Sequence, residues 1–376
     1  MSKILTFTLL MVILISCNKS EKNYTIQKIG DVEVVRNKNI PAFTKTEIKL
    51  NNLVEINGPE LSDSLAAFYE PRFVRLDKNN DIYIADDKSC SVKRFTINGK
   101  FSNKLGARGF GPGEFDFINT MYFSRDTLCV VTAPDGIQKY SKEGLFYYSS
   151  ISETGRVIGI DRLYQISDTT WLGYYLNFLR KNEEIVFKMK TSLLGDNLKE
   201  ISNIKTDSIP MSEYAKNPHV LSELEHTIAT DKKKVYLNMR TKEKYEILVY
   251  DFQGNHIGEI IKSFSKIPYS EEVKKRMEDR FKGNDYYKEM FDFRLSIERM
   301  MVDKYDNLWV KSGDLYDVFD NKGIYNGLVD FKTFNLSDDP EYFNNNTISF
   351  ENDKIIITDY ENSIVRVYDY EVLFSN

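Results

Sequence analysis

The chain has 376 residues, of which 41% are hydrophobic, and this is enough material for a sizeable core. Its formal net charge of −5 argues against a nucleic-acid-binding protein, which would carry a basic face. With 24 Tyr and 24 Phe the chain is rich in aromatic residues, which suit the half-buried surfaces of pleated sheets. We expect most of them to pack between sheets and a few to serve as stacking platforms for a ligand such as a sugar ring.

The N-terminus predicts export. Lys3 precedes an apolar run, Ile4–Ile15, which is too short to span a bilayer and suits a secretory signal. The run ends at Leu14-Ile15-Ser16-Cys17, typical of a bacterial lipobox, in which the cysteine thiol is lipidated. We therefore predict a signal peptide at 1–16, a lipidated tether at 17–30 that anchors the chain to the membrane, and a folded domain at 31–376. An ordinary signal peptide with a chance cysteine is the alternative.

One pattern occurs six times along the rest of the chain: an apolar stretch, a turn that is usually polar, and a second apolar strand. The second strands are anchored at Ile82, Leu128, Trp171, Val235, Leu308 and Ile355. Three of the spacings, 46, 43 and 47 residues, match one four-stranded blade, whereas 64 and 73 imply insertions. A single four-stranded sheet cannot bury both faces, but radially packed copies can. The pattern predicts an all-β fold, a six-bladed β-propeller.

A glycine turn follows the anchor strand in five of the six copies and predicts a hairpin between the outer strands. The glycines are Gly99, Gly144, Gly195, Gly254 and Gly323. The sixth copy lacks this turn and so lacks its outermost strand. Unassigned strands at Val32–Val35 and Ile48–Ile56 can supply it. We therefore predict a ring closed by an N-terminal strand in the last blade, which removes an exposed edge.

Two insertions interrupt the repeats. The stretch Asp207–Glu225 predicts a loop with about one helical turn. The second insertion, about 268–299, predicts a short helix with Ser270 as its N-cap, and Tyr286–Ile297 predicts another. Such helices would cap one face of the propeller, where they either shape a binding site or cover apolar surface.

Several local features suggest chemistry but have simpler structural explanations. The glycine-rich run Gly106–Phe115 lacks the Gly-Lys-Ser/Thr of a phosphate-binding loop, and we interpret it as the crossing from one blade to the next. Asp77–Asp81 begins like a calcium loop, but Ile82 replaces the required glycine, so a hairpin turn explains it. Cys90 and Cys129 lie in strand-like contexts and are predicted to be buried thiols; a single disulfide is the alternative.

Catalytic groups are scarce. The three histidines, His219, His226 and His256, offer too few ligands for a His-rich metal site, and protease and nucleophile-elbow motifs are absent from the sequence. We predict no catalytic residue, metal or cofactor. Asp86 and Asp359 end equivalent strands of the first and last repeats, so we expect them on the same face in adjacent blades. Capping of the following turns is the alternative to a functional carboxylate pair.

The runs Arg72–Asp77, Asp81–Asp86, Val92–Phe95 and Gly109–Phe115 resemble NHL-type repeats. The chain more closely resembles the six-bladed β-propeller lipoproteins of Bacteroidota, which are related to NHL-repeat and TolB-like propellers. The resemblance is strong in the first repeat and at Asp303–Val310, and weak in the third and fourth repeats. It implies a propeller at the cell envelope and no established reaction.

Two functions remain open at the level of sequence. The first is a non-enzymatic propeller at the cell envelope that binds a small molecule, a glycan or a protein. The second is a metal-dependent enzyme similar to propeller lactonases or lyases, with a carboxylate-bound cation at the channel mouth. The candidate ligand-binding residues flank loops at blade junctions: Arg72, Asp86, Arg108, Asp359 and Tyr360.

Overall fold

The computed structural model describes residues 22–132, 136–151, 158–181, 184–216, 226–280, 292–330 and 347–376. An N-terminal segment contains β1 (Tyr24–Ile29), β2 (Val32–Asn37) and β3 (Lys45–Asn57), followed by a 3₁₀ turn at Gly58–Glu60. Blade 1 has β4 (Pro71–Leu76), β5 (Ile82–Asp86), β6 (Ser91–Phe95) and β7 (Phe101–Leu105). Blade 2 has β8 (Ile118–Ser124), β9 (Thr127–Thr132), β10 (Gly136–Tyr140) and β11 (Phe146–Ile151).

The remaining blades repeat this arrangement. Blade 3 has β12 (Ile158–Ser167), β13 (Thr170–Lys181), β14 (Glu184–Leu194) and, after a 3₁₀ turn at Asp196–Leu198, β15 (Glu200–Pro210). Helix α1 (Met211–Lys216) precedes blade 4, which has β16 (Thr227–Thr230), β17 (Val235–Asn238), β18 (Tyr245–Tyr250) and β19 (His256–Lys262). Helix α2 (Glu271–Arg280) precedes blade 5, with β20 (Arg299–Val302), β21 (Leu308–Ser312), β22 (Leu315–Phe319) and β23 (Tyr325–Asp330). Blade 6 has β24 (Thr347–Glu351), β25 (Lys354–Asp359) and β26 (Ile364–Ser375).

The structure is a six-bladed propeller, and the sequence prediction of six blades is confirmed. Each predicted anchor residue lies in the second strand of its blade. Those strands are apolar at successive positions because both of their faces are buried. In β9, Leu128 and Val130 pack towards blade 1, whereas Cys129 and Val131 pack towards blade 3. Six such clusters, one for each junction between neighbouring blades, make up the core of the described residues.

The predicted closure is confirmed, with one correction. Strand β3 pairs antiparallel with β26 and is the outermost strand of blade 6. The strand predicted at Val32–Val35 does not join that blade. It is β2, which extends blade 4 by pairing in parallel with β19, and β1 pairs with β2 outside it. The predicted tether at 17–30 is therefore folded from Tyr24 onward.

The N-terminal segment crosses the outer edges of three blades in succession. Between β2 on blade 4 and β3 on blade 6, the backbone N–H groups of Ala42 and Phe43 donate to the carbonyls of Tyr325 and Asn326 on blade 5. The side chain of Asn37 also links blades 4 and 5, because its amide oxygen accepts from Tyr325 N at 2.9 Å. The segment thus covers the edges of blades 4, 5 and 6 and leaves those of blades 1, 2 and 3 to their own outer strands.

The polar turns of the repeat are closed by their own side chains. The carboxylate of Asp303 accepts from the N–H groups of Tyr305 and Asn307 and from Trp309 Nε1 at 2.8 Å. Asp77 does the same for Asn79 and Asp81, which confirms the hairpin turn predicted there. Four of the five predicted outer-hairpin glycines have a positive φ between 76° and 88°; Gly195 does not.

The insertions and cysteines follow the predictions in part. Strand β15 continues to Pro210, so the first insertion begins with α1, and 217–225 lie outside the described residues. Ser270 caps α2, because its Oγ accepts from Val273 N at 3.3 Å. Of the second predicted helix, 286–291 lie outside the described residues, and 292–297 are not helical.

Cys90 and Cys129 are free and buried, as predicted. None of the described helices is long and apolar enough to cross a membrane.

Candidate functional site

The two ends of the propeller differ in the length of their connections. The lower end is formed by the turns between first and second strands and between third and fourth strands, and none of these exceeds five residues. The upper end is formed by the turns between second and third strands and by the connections from one blade to the next. Five of those six blade-to-blade connections have 12 residues or more, and the two α-helices of the described residues lie in them. Loop insertions that gather on one face of a repeat protein indicate the face used for binding.

All five candidate ligand-binding residues lie at this upper end, where blades 6, 1 and 2 meet. Arg72 is the second residue of the inner strand of blade 1, and Asp86 ends its second strand. Arg108 lies in the connection to blade 2, and Asp359 and Tyr360 lie at the turn between β25 and β26. The expectation that Asp86 and Asp359 share one face in adjacent blades is confirmed.

The two aspartates stabilise loops in this structure. Asp86 is fully buried, and its Oδ1 accepts from the N–H groups of Tyr69 and Glu70 at 3.1 and 2.9 Å. Its Oδ2 accepts from the N–H and hydroxyl of Ser89. Asp359 accepts from the N–H and the side-chain amide of Asn362 at 3.0 and 2.9 Å. Four donors around one carboxylate, and two around the other, assign both to the capping role that the sequence left as the alternative.

Arg72 contacts both a carboxylate and two aromatic rings at the upper end of the propeller. Its Nη1 contacts Oδ2 of Asp87 at 3.0 Å, and its guanidinium lies over the rings of Phe117 and Phe73 at 4.6 and 5.3 Å. Arg108 Nη2 donates to the carbonyls of Asp87 and Lys88 at 3.4 and 3.3 Å. Both arginines therefore hold the turn between β5 and β6 while their side chains remain partly accessible.

Asp87 is the residue of this site that the sequence reasoning missed. Its Oδ1 is buried and has no hydrogen-bond partner among the described residues. Burial raises the pKa of Asp87 above its ordinary value, the charge of Arg72 opposes this in part, and the charges of Glu70 and Asp86 add to it. A buried acceptor without a donor keeps its desolvation cost, which sets Asp87 apart from the satisfied carboxylate of Asp86. The sequence gives little indication that Asp87 belongs to the site, because its only distinguishing feature is that it directly follows Asp86.

Aromatic and charged side chains surround Asp87. Tyr69 is about half exposed, and Lys88 Nζ lies 5.4 Å from its ring centroid. Burial raises the pKa of Tyr360, and the carboxylates of Glu70 and Asp87 raise it further, so its hydroxyl remains a donor at neutral pH. Phe110 is 90% exposed on the glycine-rich connection to blade 2. We call Tyr69, Glu70, Arg72, Asp87, Lys88, Arg108, Phe117 and Tyr360 the upper cluster.

The upper cluster combines cations, carboxylates, hydroxyl donors and aromatic faces. This composition suits a polar ligand that also presents an apolar face, because rings stack against the aromatics while charged groups fix the orientation. Within the described part of the chain, no group of three or more His, Cys, Asp or Glu side chains is arranged to hold a metal ion.

Comparison with known proteins supports the fold and no finer grouping. No family model and no curated protein matches the chain. An exported protein from Bacteroides fragilis is 12% identical, with a TM-score of 0.51 over 91% of this chain and 100% of the other. A member of the DUF4221 family from Bacteroides vulgatus is 9% identical, with a TM-score of 0.47 over 88% and 99%. A gluconolactonase from Xanthomonas campestris is 12% identical, with a TM-score of 0.45 over 81% and 87%. The similarity to the exported protein agrees with the propeller fold described above, and the NHL-type resemblance of the first repeat stays a prediction.

Proposed function

We propose that the chain is a non-enzymatic binding propeller of the cell envelope, lipid-anchored through Cys17, which holds its ligand at the upper cluster. The observation that carries the proposal is the gathering of long connections on the upper end, opposite a lower end of short turns. The fold by itself assigns no activity. The similarity to an exported protein, described above, supports a location outside the cytoplasm.

A polar ligand with an apolar face, such as a glycan, fits the upper cluster best. Arg72 would donate to it, the hydroxyl oxygen of Tyr360, whose proton is directed to Glu70, would accept from it, and Phe117 or Tyr69 would stack against a ring. Arg108 fixes the turn that carries Asp87, and Lys88 lies over the ring of Tyr69. The alternative, a metal-dependent lactonase- or lyase-like enzyme, requires carboxylates that converge on a cation. Asp86 and Asp359, the carboxylates singled out from the sequence, instead accept hydrogen bonds from the loops next to them.

Arg72→Ala is expected to weaken ligand binding by at least about tenfold, because a charge-assisted contact contributes about 1.5–3 kcal/mol. The measurement is thermal stabilisation of the full chain by a panel of glycans and metabolites, followed by titration of the best compound. Arg36→Ala, at an exposed arginine on β2, is the matched control and should bind as the wild type does. Equal affinity of both variants would contradict a site at the upper cluster.

The same purified chain distinguishes the remaining alternatives. A tightly bound divalent cation present in stoichiometric amount would favour the enzyme. A wild type that no compound stabilises would contradict a small-molecule or glycan ligand and direct the search to a protein partner.

Cys17→Ser is expected to move the protein from the membrane fraction to the soluble fraction, because the variant lacks the thiol that carries the acyl chains. The measurement is fractionation of cells that express the full chain, together with incorporation of a labelled fatty acid. Ser16→Ala, one residue earlier, keeps both the thiol and a small residue before it, and serves as the control. Unchanged membrane association and labelling of Cys17→Ser would contradict the lipid anchor.

A further inference from the structure

The outermost strand of blade 2, β11, differs from the outermost strands of the other five blades. Unpaired edge strands attract other strands, and proteins normally protect them with charged residues, proline or a covering segment. The structure describes all six outermost strands in full. Five of them carry at least one charged residue: Lys104 in β7, Glu200 in β15, Lys28 in β1, Asp330 in β23 and Lys45 in β3. Strand β11, with the sequence Phe-Tyr-Tyr-Ser-Ser-Ile, carries no charge and no proline.

The side chains of this edge are also unusually apolar and exposed. Tyr147 and Tyr148 are each 54% exposed, and Ile151 is 68% exposed. Leu145, in the turn that leads into β11, is 66% exposed. Within the described residues only β10 pairs with β11, so the other edge of the strand presents its backbone N–H and C=O groups outward.

The molecule itself shows how an outer edge is completed. On blade 4, β2 and β1 add two strands outside β19, and on blade 6, β3 pairs along almost the whole of β26. The described part of the N-terminal segment that covers these edges, 22–57, lies along blades 4, 5 and 6. None of the strands in that described part pairs with blade 2.

We infer that β11 pairs antiparallel with β11 of a second copy of this chain, so that two blade-2 sheets join into one eight-stranded sheet across a two-fold axis. In an antiparallel pair of identical strands the residue on the two-fold axis faces its own copy, so a charge at that position is destabilising, and β11 carries no charge at any position. Charged residues on an outer strand are the usual protection against edge-to-edge pairing between copies of a chain, and among the described outermost strands only β11 lacks them, which favours a second copy as the partner.

The self-pairing has a specific register. A two-fold axis through an antiparallel pair makes one residue face its own copy. With Ser149 on the axis, Tyr147 faces Ile151 and Tyr148 faces Ser150, so each large side chain lies opposite a β-branched or small one. Aromatic and β-branched residues are favourable cross-strand neighbours. Ser149 is exposed, and its hydroxyl donates to Gln138 Oε1 at 2.6 Å within the same blade.

Ser149→Lys is expected to weaken self-association at least about tenfold, because two lysines then face each other at the axis. The measurement is sedimentation velocity of the full chain in density-matched detergent over a range of concentrations. The wild type should shift from monomer to dimer as concentration rises. Ser102→Lys, at an exposed serine on the outer strand of blade 1, is the matched control and should dimerise as the wild type does.

Disulfide trapping tests the register independently. Ser149→Cys should form a cross-linked dimer under mild oxidation, while Ser102→Cys should stay monomeric in a reducing-agent-free gel. The native Cys90 and Cys129 are buried and should not contribute to cross-linking. A wild type that remains monomeric at every concentration, or equal cross-linking of the two cysteine variants, would overturn the inference. A ligand that fails to bind the upper cluster has no bearing on it, because β11 lies on the outer edge of blade 2.

Discussion

Replacing Ile56 with alanine is expected to lower the free energy of unfolding by about 2–4 kcal/mol. Ile56 lies on β3, opposite Val365 of β26, and is only 2% exposed. Its side chain packs in the cluster between blades 6 and 1, together with Val74 and Ile82. Truncation removes apolar contacts and leaves a cavity at the one junction where the two ends of the chain meet.

Leu53→Ala is the matched control for this experiment. Leu53 lies on the same strand at the β-bulge opposite Val367 and Tyr368, and it is 38% exposed. Its truncation should change the free energy of unfolding by no more than about 0.5 kcal/mol. The measurement is chemical denaturation of both variants and of the wild type. Equal losses would mean that burial of β3 does not contribute to closure of the ring.

Lys262→Met is expected to destabilise the fold by about 3–5 kcal/mol, because it leaves the carboxylate of Asp317 buried without its cation. Lys262 Nζ contacts Asp317 Oδ2 at 2.7 Å between blades 4 and 5, and both side chains are almost fully buried. The ammonium group also lies 4.9 and 4.5 Å from the ring centroids of Tyr245 and Tyr325. The hydroxyl of Tyr245 donates to the same carboxylate oxygen at 2.7 Å.

The surroundings of the pair explain why one missing partner costs so much. Burial raises the pKa of Tyr245 far above its usual range, and the charge of Asp317 adds to the shift, so Tyr245 donates at any physiological pH and cannot replace the lysine charge. Adding Asp317→Asn to Lys262→Met removes the orphaned charge and keeps an acceptor for Tyr245. We expect this double variant to recover most of the loss, to within about 2 kcal/mol of the wild type.

Lys266→Met is the control for the buried pair. Lys266 contacts Glu243 at 2.6 Å, but both side chains are well exposed, so its removal should cost no more than about 1 kcal/mol. Thermal and chemical denaturation of the three variants give the comparison. If Lys262→Met were no less stable than Lys266→Met, the buried pair would not hold blades 4 and 5 together.

The sequence predicted the blade number because the repeat is a local physical pattern. A second strand buried on both faces must be apolar at every position, as Leu128 and Val131 are, and such strands recur at blade spacing. The missing outer hairpin of the last copy likewise predicted a closing strand. The pattern of Val32–Asn37 predicted a strand but not the strand it pairs with. The pairing partner of an outer strand depends on which sheet edge the folded chain brings it to. Its pairing with β19 depends on Asn37 and on the path of Pro41–Thr44 across blade 5.

The candidate site shows the same division between sequence and tertiary structure. Asp86 and Asp359 were selectable from the sequence because equivalent positions in a repeat share a face, but spacing alone does not show which donors surround a carboxylate. The entry loop to β4 brings its N–H groups onto Asp86, and that long-range contact leaves Asp87 as the carboxylate with an unsatisfied oxygen. The amino-acid sequence by itself determined the strands, the turns and the number of blades, since these depend on near neighbours along the chain. Only the tertiary structure decided which edges are covered and which polar atoms remain unpaired, because both depend on residues that are distant in sequence and meet only after the ring has closed.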